Sequence, residues 1–156
     1  MTKYMLPIII YILLSISACN PTKSENVSKT GHFSGLENDA AKTVVAFHKA
    51  INSGDADRVR MLLDEAVLIF EGGGVERSAE EYAAHHLKAD IAFLLKLKVT
   101  SIEHQVQGSS DMAVSMSRSK LVGKYKDKDI DLNTMETIVL RKSNNQWRII
   151  HIHWSN

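Results

Sequence analysis

The chain has 156 residues, 44% of them hydrophobic, with 19 Lys+Arg against 18 Asp+Glu, a net charge of +1 and one cysteine. A domain of this size buries a core without metal or disulfide help, and a lone cysteine excludes both an internal disulfide and a CxxC zinc ribbon. The near-neutral charge excludes the basic footprint of a nucleic-acid binder.

Residues 1–18 read MTKYMLPIIIYILLSISA. Lys3 gives a basic start, and residues 5–16 are almost wholly apolar. That run is too short to span a hydrocarbon core of about 30 Å, but it suits a secretory signal. It ends Ile16-Ser17-Ala18-Cys19, which resembles a bacterial lipobox. The resemblance implies a lipoprotein signal peptide over 1–18, cleaved before Cys19, whose sulfur then carries a diacylglycerol. Acyl chains, at about 0.8 kcal/mol per buried CH₂, would hold the protein on a membrane surface without a spanning helix. The expected location is the bacterial cell envelope, lipid-anchored and periplasm-facing. Asn20 after the cysteine favours the outer membrane by analogy with enterobacterial sorting. Residues 19–36 are rich in Ser, Thr, Asn, Lys and Gly without an apolar period, so they are expected to form a flexible tether.

The folded domain is expected over 37–156. Ala41, Val44, Val45, His48 and Ile51 recur at helical spacing, which predicts a first helix from 37–39 to Ser53, stopped by Gly54. Asp55 is an N-cap for a short second helix carrying Val59, Leu62 and Leu63. Residues 66–70 (AVLIF) read as a buried strand, and 71–77, with three glycines in a row, as a loop. Ser78 with Glu81 forms a capping box for a third helix, expected to run to Lys96 with Tyr82 and His85/His86 on it. Beyond Lys98 the period becomes two. Strands are expected near 98–107, 111–123, 129–142 and 146–155. Helices followed by a run of strands argue α+β and not an alternating α/β fold.

A two-residue turn at Asn144-Asn145 would pair Leu140 with Ile149, Ile138 with His151 and Glu136 with His153. One face of the last hairpin would then carry Glu136, Ile138, Leu140, Trp147, Ile149, His151 and His153. The other would carry Val139, Ile150, Ile152 and Trp154. Both faces are apolar enough to be covered, one by the helices and one by a second subunit. A single bulge would break this register.

The element order and the ending Trp147-Arg148-Ile149-Ile150-His151-Ile152-His153-Trp154-Ser155 resemble the nuclear transport factor 2-like superfamily, and within it the SnoaL-like members. The His-x-His ending is also similar to the calcium/calmodulin-dependent kinase association domain. The resemblance implies an α+β, cone-shaped barrel of a curved, mainly antiparallel sheet. Three N-terminal helices would pack on its concave face over a pocket, usually in a homodimer. It implies a small-molecule-binding domain, with an isomerase- or hydratase-type enzyme or an assembly module as alternatives, because the fold does not settle function.

Four sets of side chains are candidates for chemistry, one of which, His85 and His86, can turn at most one imidazole to a pocket and reads first as surface or core packing. Glu136, His151 and His153 would form a polar ligand-binding or acid/base group, with Trp147 as an apolar wall and Tyr82 nearby. Two imidazoles and a carboxylate are also a legitimate metal set, although simple hydrogen bonding inside a pocket competes with it. Glu71, at the end of a buried strand, would suit a general base if burial raised its pKa. Met112, Met116 and Met135 read as core filling before copper ligands. No GxxxxGK[ST] or GxGxxG occurs, so no nucleotide cofactor is expected. Tyrosines and carboxylates do not fall into a recognisable ketosteroid-isomerase trio, nor is a Ser-His-Asp or Cys-His set apparent.

Overall fold

The computed structural model describes residues 32–156, so the expected signal peptide and the expected lipidation site at Cys19 lie outside the described residues. The elements in chain order are β1 (Phe33–Ser34), α1 (Asp39–Ser53), α2 (Ala56–Leu62), β2 (Leu63–Glu71), β3 (Gly74–Glu76), α3 (Ala79–His85), α4 (Leu87–Leu94), β4 (Leu97–Gly108), β5 (Met112–Tyr125), β6 (Lys128–Ser143) and β7 (Gln146–Ser155). The seven strands form one mixed sheet in the order β1-β4-β5-β6-β7-β2-β3, whose ends do not meet. The fold is α+β, with the helices on the concave side of the sheet.

Local chemistry sets the boundaries. The Asn38 side chain accepts from the Ala41 N–H at 2.8 Å and caps α1. Gly54, at φ 82°, closes the helix in the left-handed conformation. Asp55 accepts from the Arg58 N–H at 2.9 Å and starts α2. The hydroxyl of Ser78 accepts from the Glu81 N–H at 3.0 Å, while the Glu81 carboxylate accepts from the N–H of Arg77, one residue earlier than in a reciprocal capping box. Lys126-Asp127 and Asn144-Asn145 all take positive φ, so both long hairpins close on two-residue turns whose twist matches the strands.

The core lies between the concave face and α1–α3. Val44, Phe47, Val59, Val67, Ile69, Tyr82, Ile138, Leu140, Ile149 and Ile152 are all fully buried. Each such aliphatic or aromatic side chain contributes roughly 1.5–3 kcal/mol relative to exposure.

Five expectations need correction. Phe33 and Ser34, assigned to the tether, pair in parallel with His104 and Gln105. Gly35 follows at φ +68°, so close to the sheet that a Cβ would collide with the Val106 carbonyl oxygen; the ordered domain therefore starts before residue 37. The three-glycine segment is a hairpin and not a loop, because Gly72 and Gly73 supply positive φ and Gly74 continues as β3. The third helix is two helices, giving four in all. The break falls at His86, whose backbone stays in the right-handed helical region at a stretched φ of −103° and whose imidazole contacts the buried Glu76 carboxylate. Met112, Met116 and Met135 are exposed on the outer face of the sheet and fill no core.

The fifth correction decides the site. The expected pairing holds from Ser143↔Gln146 to Leu140↔Ile149. Ile150 is then a bulge. Beyond it Val139 faces His151, Ile138 faces Ile152, Thr137 faces His153, and Glu136 faces Trp154. One extra residue exchanges the faces of everything after it. Ile152 and Trp154 turn inward, and His151 and His153 lie on the side opposite Glu136.

Candidate functional site

Between the concave face and helices α1 and α4 lies a cavity of about 850 Å³. Its floor is built in rows, because cross-strand partners share a face. One row runs His104–Ser117–Glu136–Trp154 across β4, β5, β6 and β7. α1 lays His48 over it.

Glu136 is the centre of this row. His48 donates from Nε2 to its two oxygens at 2.9 and 3.1 Å. The indole Nε1 of Trp154 donates to Oε2 at 2.8 Å, and the Ser117 hydroxyl to Oε1 at 3.1 Å. Burial alone would push the Glu136 carboxyl up. The charge of His48 and the hydrogen bonds from His48, Trp154 and Ser117 outweigh it and hold the pKa below 4.5. Burial likewise opposes a charge on His48, but the facing carboxylate and its hydrogen bond raise the pKa above 6.5. Each partner therefore favours the charged form of the other, imidazolium against carboxylate. A third of the His48 side chain and a tenth of Glu136 remain open to the cavity. His104, whose ring centre is 6.0 Å from that of His48, shares a 2.9 Å hydrogen bond with Ser115. Burial first, and then the charge of His48, lower its pKa and keep it neutral.

A second polar group borders the same cavity. Tyr82 is fully buried beneath the wall and donates from Oη to Asp90 at 2.8 Å. Burial raises the pKa of Asp90, although the Tyr82 hydrogen bond and His86 work against it. Burial and then the charge of Asp90 raise that of Glu71, at the end of β2. Tyr82 is itself pushed up, by burial and then by Asp90. These carboxyls are biased towards the neutral form, whereas Glu136 is biased towards the anion.

The sequence-predicted residues are thus split. Glu136 and Glu71 line the cavity, and Tyr82 supports it through Asp90. Trp147 packs against the core and not on the cavity wall. His151 sits on the outer face with its ring centre 5.5 Å from that of Phe70, its pKa lowered by burial and then by His153. His153 is exposed and only borders the cavity rim. The metal alternative of Glu136, His151 and His153 loses its geometry, since the carboxylate and the imidazoles lie on opposite sides of the sheet. Among the described residues no group of three or more His, Cys, Asp or Glu is gathered for a metal ion.

Sequence reasoning missed His48, His104, Ser117 and Asp90 as site residues. His48 did carry a signal, as the polar member of an apolar helical stripe. Ser117 sits among Ser115 and Ser119 at strand spacing, which places three hydroxyls on one face. Asp90 had no sequence signal.

The SnoaL-like domain family model matches residues 41–156. The chain belongs to the SnoaL-like domain family. A solved structure from Shewanella frigidimarina, described as a candidate ketosteroid isomerase, is 46% identical with a TM-score of 0.77 over 79% of this chain and 99% of that one. Two further structures share the fold. One is a candidate calcium/calmodulin-dependent protein kinase II association domain from Xanthomonas campestris (21% identity, TM-score 0.63, 79% of this chain and 91% of that one). The other is the C. elegans CaMKII association domain (17% identity, TM-score 0.62, 76% and 93%). No curated protein matches significantly.

Proposed function

We propose that this SnoaL-like domain binds a small, partly apolar molecule in its cone and is held on the envelope membrane by an acyl anchor at Cys19. The observation that supports binding is a cavity of about 850 Å³, within the ordinary size range of ligand pockets, walled by apolar side chains around a few fixed polar groups. The test is native mass spectrometry of the purified domain together with titration of the neutral apolar dye Nile red. Expected are a bound small-molecule mass and a dye signal, both abolished when Leu121→Trp fills the floor. A bare polypeptide mass and no dye binding would defeat the reading. For the anchor, Cys19→Ser is expected to abolish acylation and membrane retention; an acylated variant would defeat the lipobox reading.

A second reading is a proton-transfer enzyme of the isomerase or hydratase type. It is favoured by Glu71, a carboxyl lining the cavity with a raised pKa beside Asp90, and by the neighbour described as a candidate ketosteroid isomerase. Glu136 is a poor base, because three donors already engage its carboxylate. On this reading Glu71→Gln abolishes turnover and His153→Ala does not.

The third reading, an assembly module, retains homodimer formation through the sheet. Leu68, Phe70, Val114 and Met116 are exposed together on the outer face. The disrupting change is Phe70→Asp or Met116→Asp. Ile152 is unsuitable because it is buried in the core.

A further inference from the structure

The concave floor is banded along the strands. Beyond the His104–Ser117–Glu136–Trp154 row, the next row is Ser101–Ser119–Thr134. The row after that is wholly apolar, Val99–Leu121–Leu132. Successive rows on one face lie two residues apart, or about 6.5–7 Å. All six side chains of these two outer rows line the cavity. The roof continues the apolar band, since α4 contributes Phe93 and Leu94.

Two features of this banding restrict the ligand. First, among the described residues the hydroxyls of Ser101 and Ser119 have no protein partner, and that of Thr134 reaches only the Ser119 carbonyl, at 3.5 Å. Three hydroxyls side by side on a cavity floor, each able to donate and accept, are suited to a head group that also does both. Second, neither Lys nor Arg lines the cavity. Its one imidazolium, His48, is already neutralised by Glu136, and His104 is held neutral. The remaining ionisable groups are two acids, Glu71 and Asp90, and at the exposed rim His153. An anionic head seated on the floor would be desolvated with no Lys or Arg to receive it. A cation would meet Asp90 already accepting from Tyr82 at 2.8 Å and Glu71 at the mouth, away from the hydroxyl row.

We infer that the cavity takes an uncharged amphiphile bearing two or more hydroxyl or carbonyl oxygens, seated with those oxygens on the Ser101–Ser119–Thr134 row and its hydrocarbon on the Val99–Leu121–Leu132 band. The inference rests on the binding reading above and names its ligand class.

Three ten-carbon probes separate the possibilities: 1-monodecanoylglycerol, decanoate and decyltrimethylammonium, each below its aggregation limit. Each is titrated against the full mature protein by displacement of Nile red and by the fluorescence of Trp154, read as the difference from a Trp154→Phe variant. The neutral diol ester is expected to bind at least tenfold more tightly than either ion. The combined Ser119→Ala and Thr134→Val change is expected to weaken the diol ester about tenfold, while leaving Nile red binding and the unfolding temperature unchanged. Equal or tighter binding of decanoate or of the ammonium probe would overturn the inference, as would a diol ester indifferent to loss of the hydroxyls. Nile red bound but displaced by none of the three also overturns it, leaving the binding reading intact. Absence of Nile red binding altogether removes the binding reading itself.

Discussion

Glu136 and Asp90 are carboxylates on the wall of one cavity, and their surroundings drive them in opposite directions. Glu136 sits in the sheet row and receives hydrogen bonds from an imidazole, an indole and a hydroxyl. Asp90 sits on α4 and receives one, from a phenol whose own pKa is raised. Both are desolvated; only one is compensated. The difference teaches that burial does not decide the charge of a cavity acid. The count and charge of the donors aimed at it do.

The comparison breaks most forcefully at Glu136. Glu136→Ala leaves a buried imidazole, the indole N–H and a hydroxyl without their acceptor, and is expected to cost about 3 kcal/mol in denaturant unfolding at pH 6. A loss below about 1 kcal/mol would mean that the pair is solvated and not a fixed structural element. The same pair predicts a pH profile. The lowered pKa of Glu136 contributes stability above its ordinary 4.5, lost as pH falls through the folded value. The raised pKa of His48 contributes below its ordinary 6.5, lost as pH rises through the folded value. The difference between wild type and Glu136→Gln should therefore be greatest between those two values and shrink on both sides. A difference that grows steadily to pH 9 would contradict the ion pair.

Smaller effects sharpen the other half. Tyr82→Phe removes the one donor to Asp90 and should cost about 1 kcal/mol. It should also move the Asp90 titration upward in NMR, because that hydrogen bond works to lower it; a downward shift would mean that the phenol does not stabilise the anion. Asp90→Asn is expected to be the mildest. Its raised pKa makes the ionised form a cost above the ordinary 3.8, growing as pH rises through the folded value. The amide should therefore be at least as stable as wild type at pH 8, by under about 1 kcal/mol. A clearly less stable variant would show that Asp90 is ionised and supported.

Much of the scaffold was legible because local rules govern it. Asn38, Gly54, Asp55 and Ser78 mark helix ends by side-chain and backbone chemistry that works within a few residues. The four long strands announce themselves by alternation, and Asn144-Asn145 by its turn. The site was legible only in fragments. Glu136 and Glu71 were found as single residues, but their partners come from α1 and α4, far away in sequence. The pairing of His151 and His153 with Glu136 failed on Ile150, since a bulge leaves no mark in an alternating apolar run. The methionines misled because an exposed apolar sheet face and a buried one have the same composition.

Ile150 therefore deserves a functional reading. It is one unpaired residue in the last strand, yet it selects which half of the final five side chains meets the interior. Excising it should make Leu140↔Ile149 and Val139↔His151 consecutive pairs, so every later side chain keeps its face and only the bulge is lost. Trp154 fluorescence of such a deletion variant should therefore remain that of an inward indole, whereas a shift towards an exposed indole would show that the pairing had slipped by one residue. One residue accommodated as a bulge thus decides which side chains face the cone without replacing any of them, a cheap route by which one scaffold diversifies.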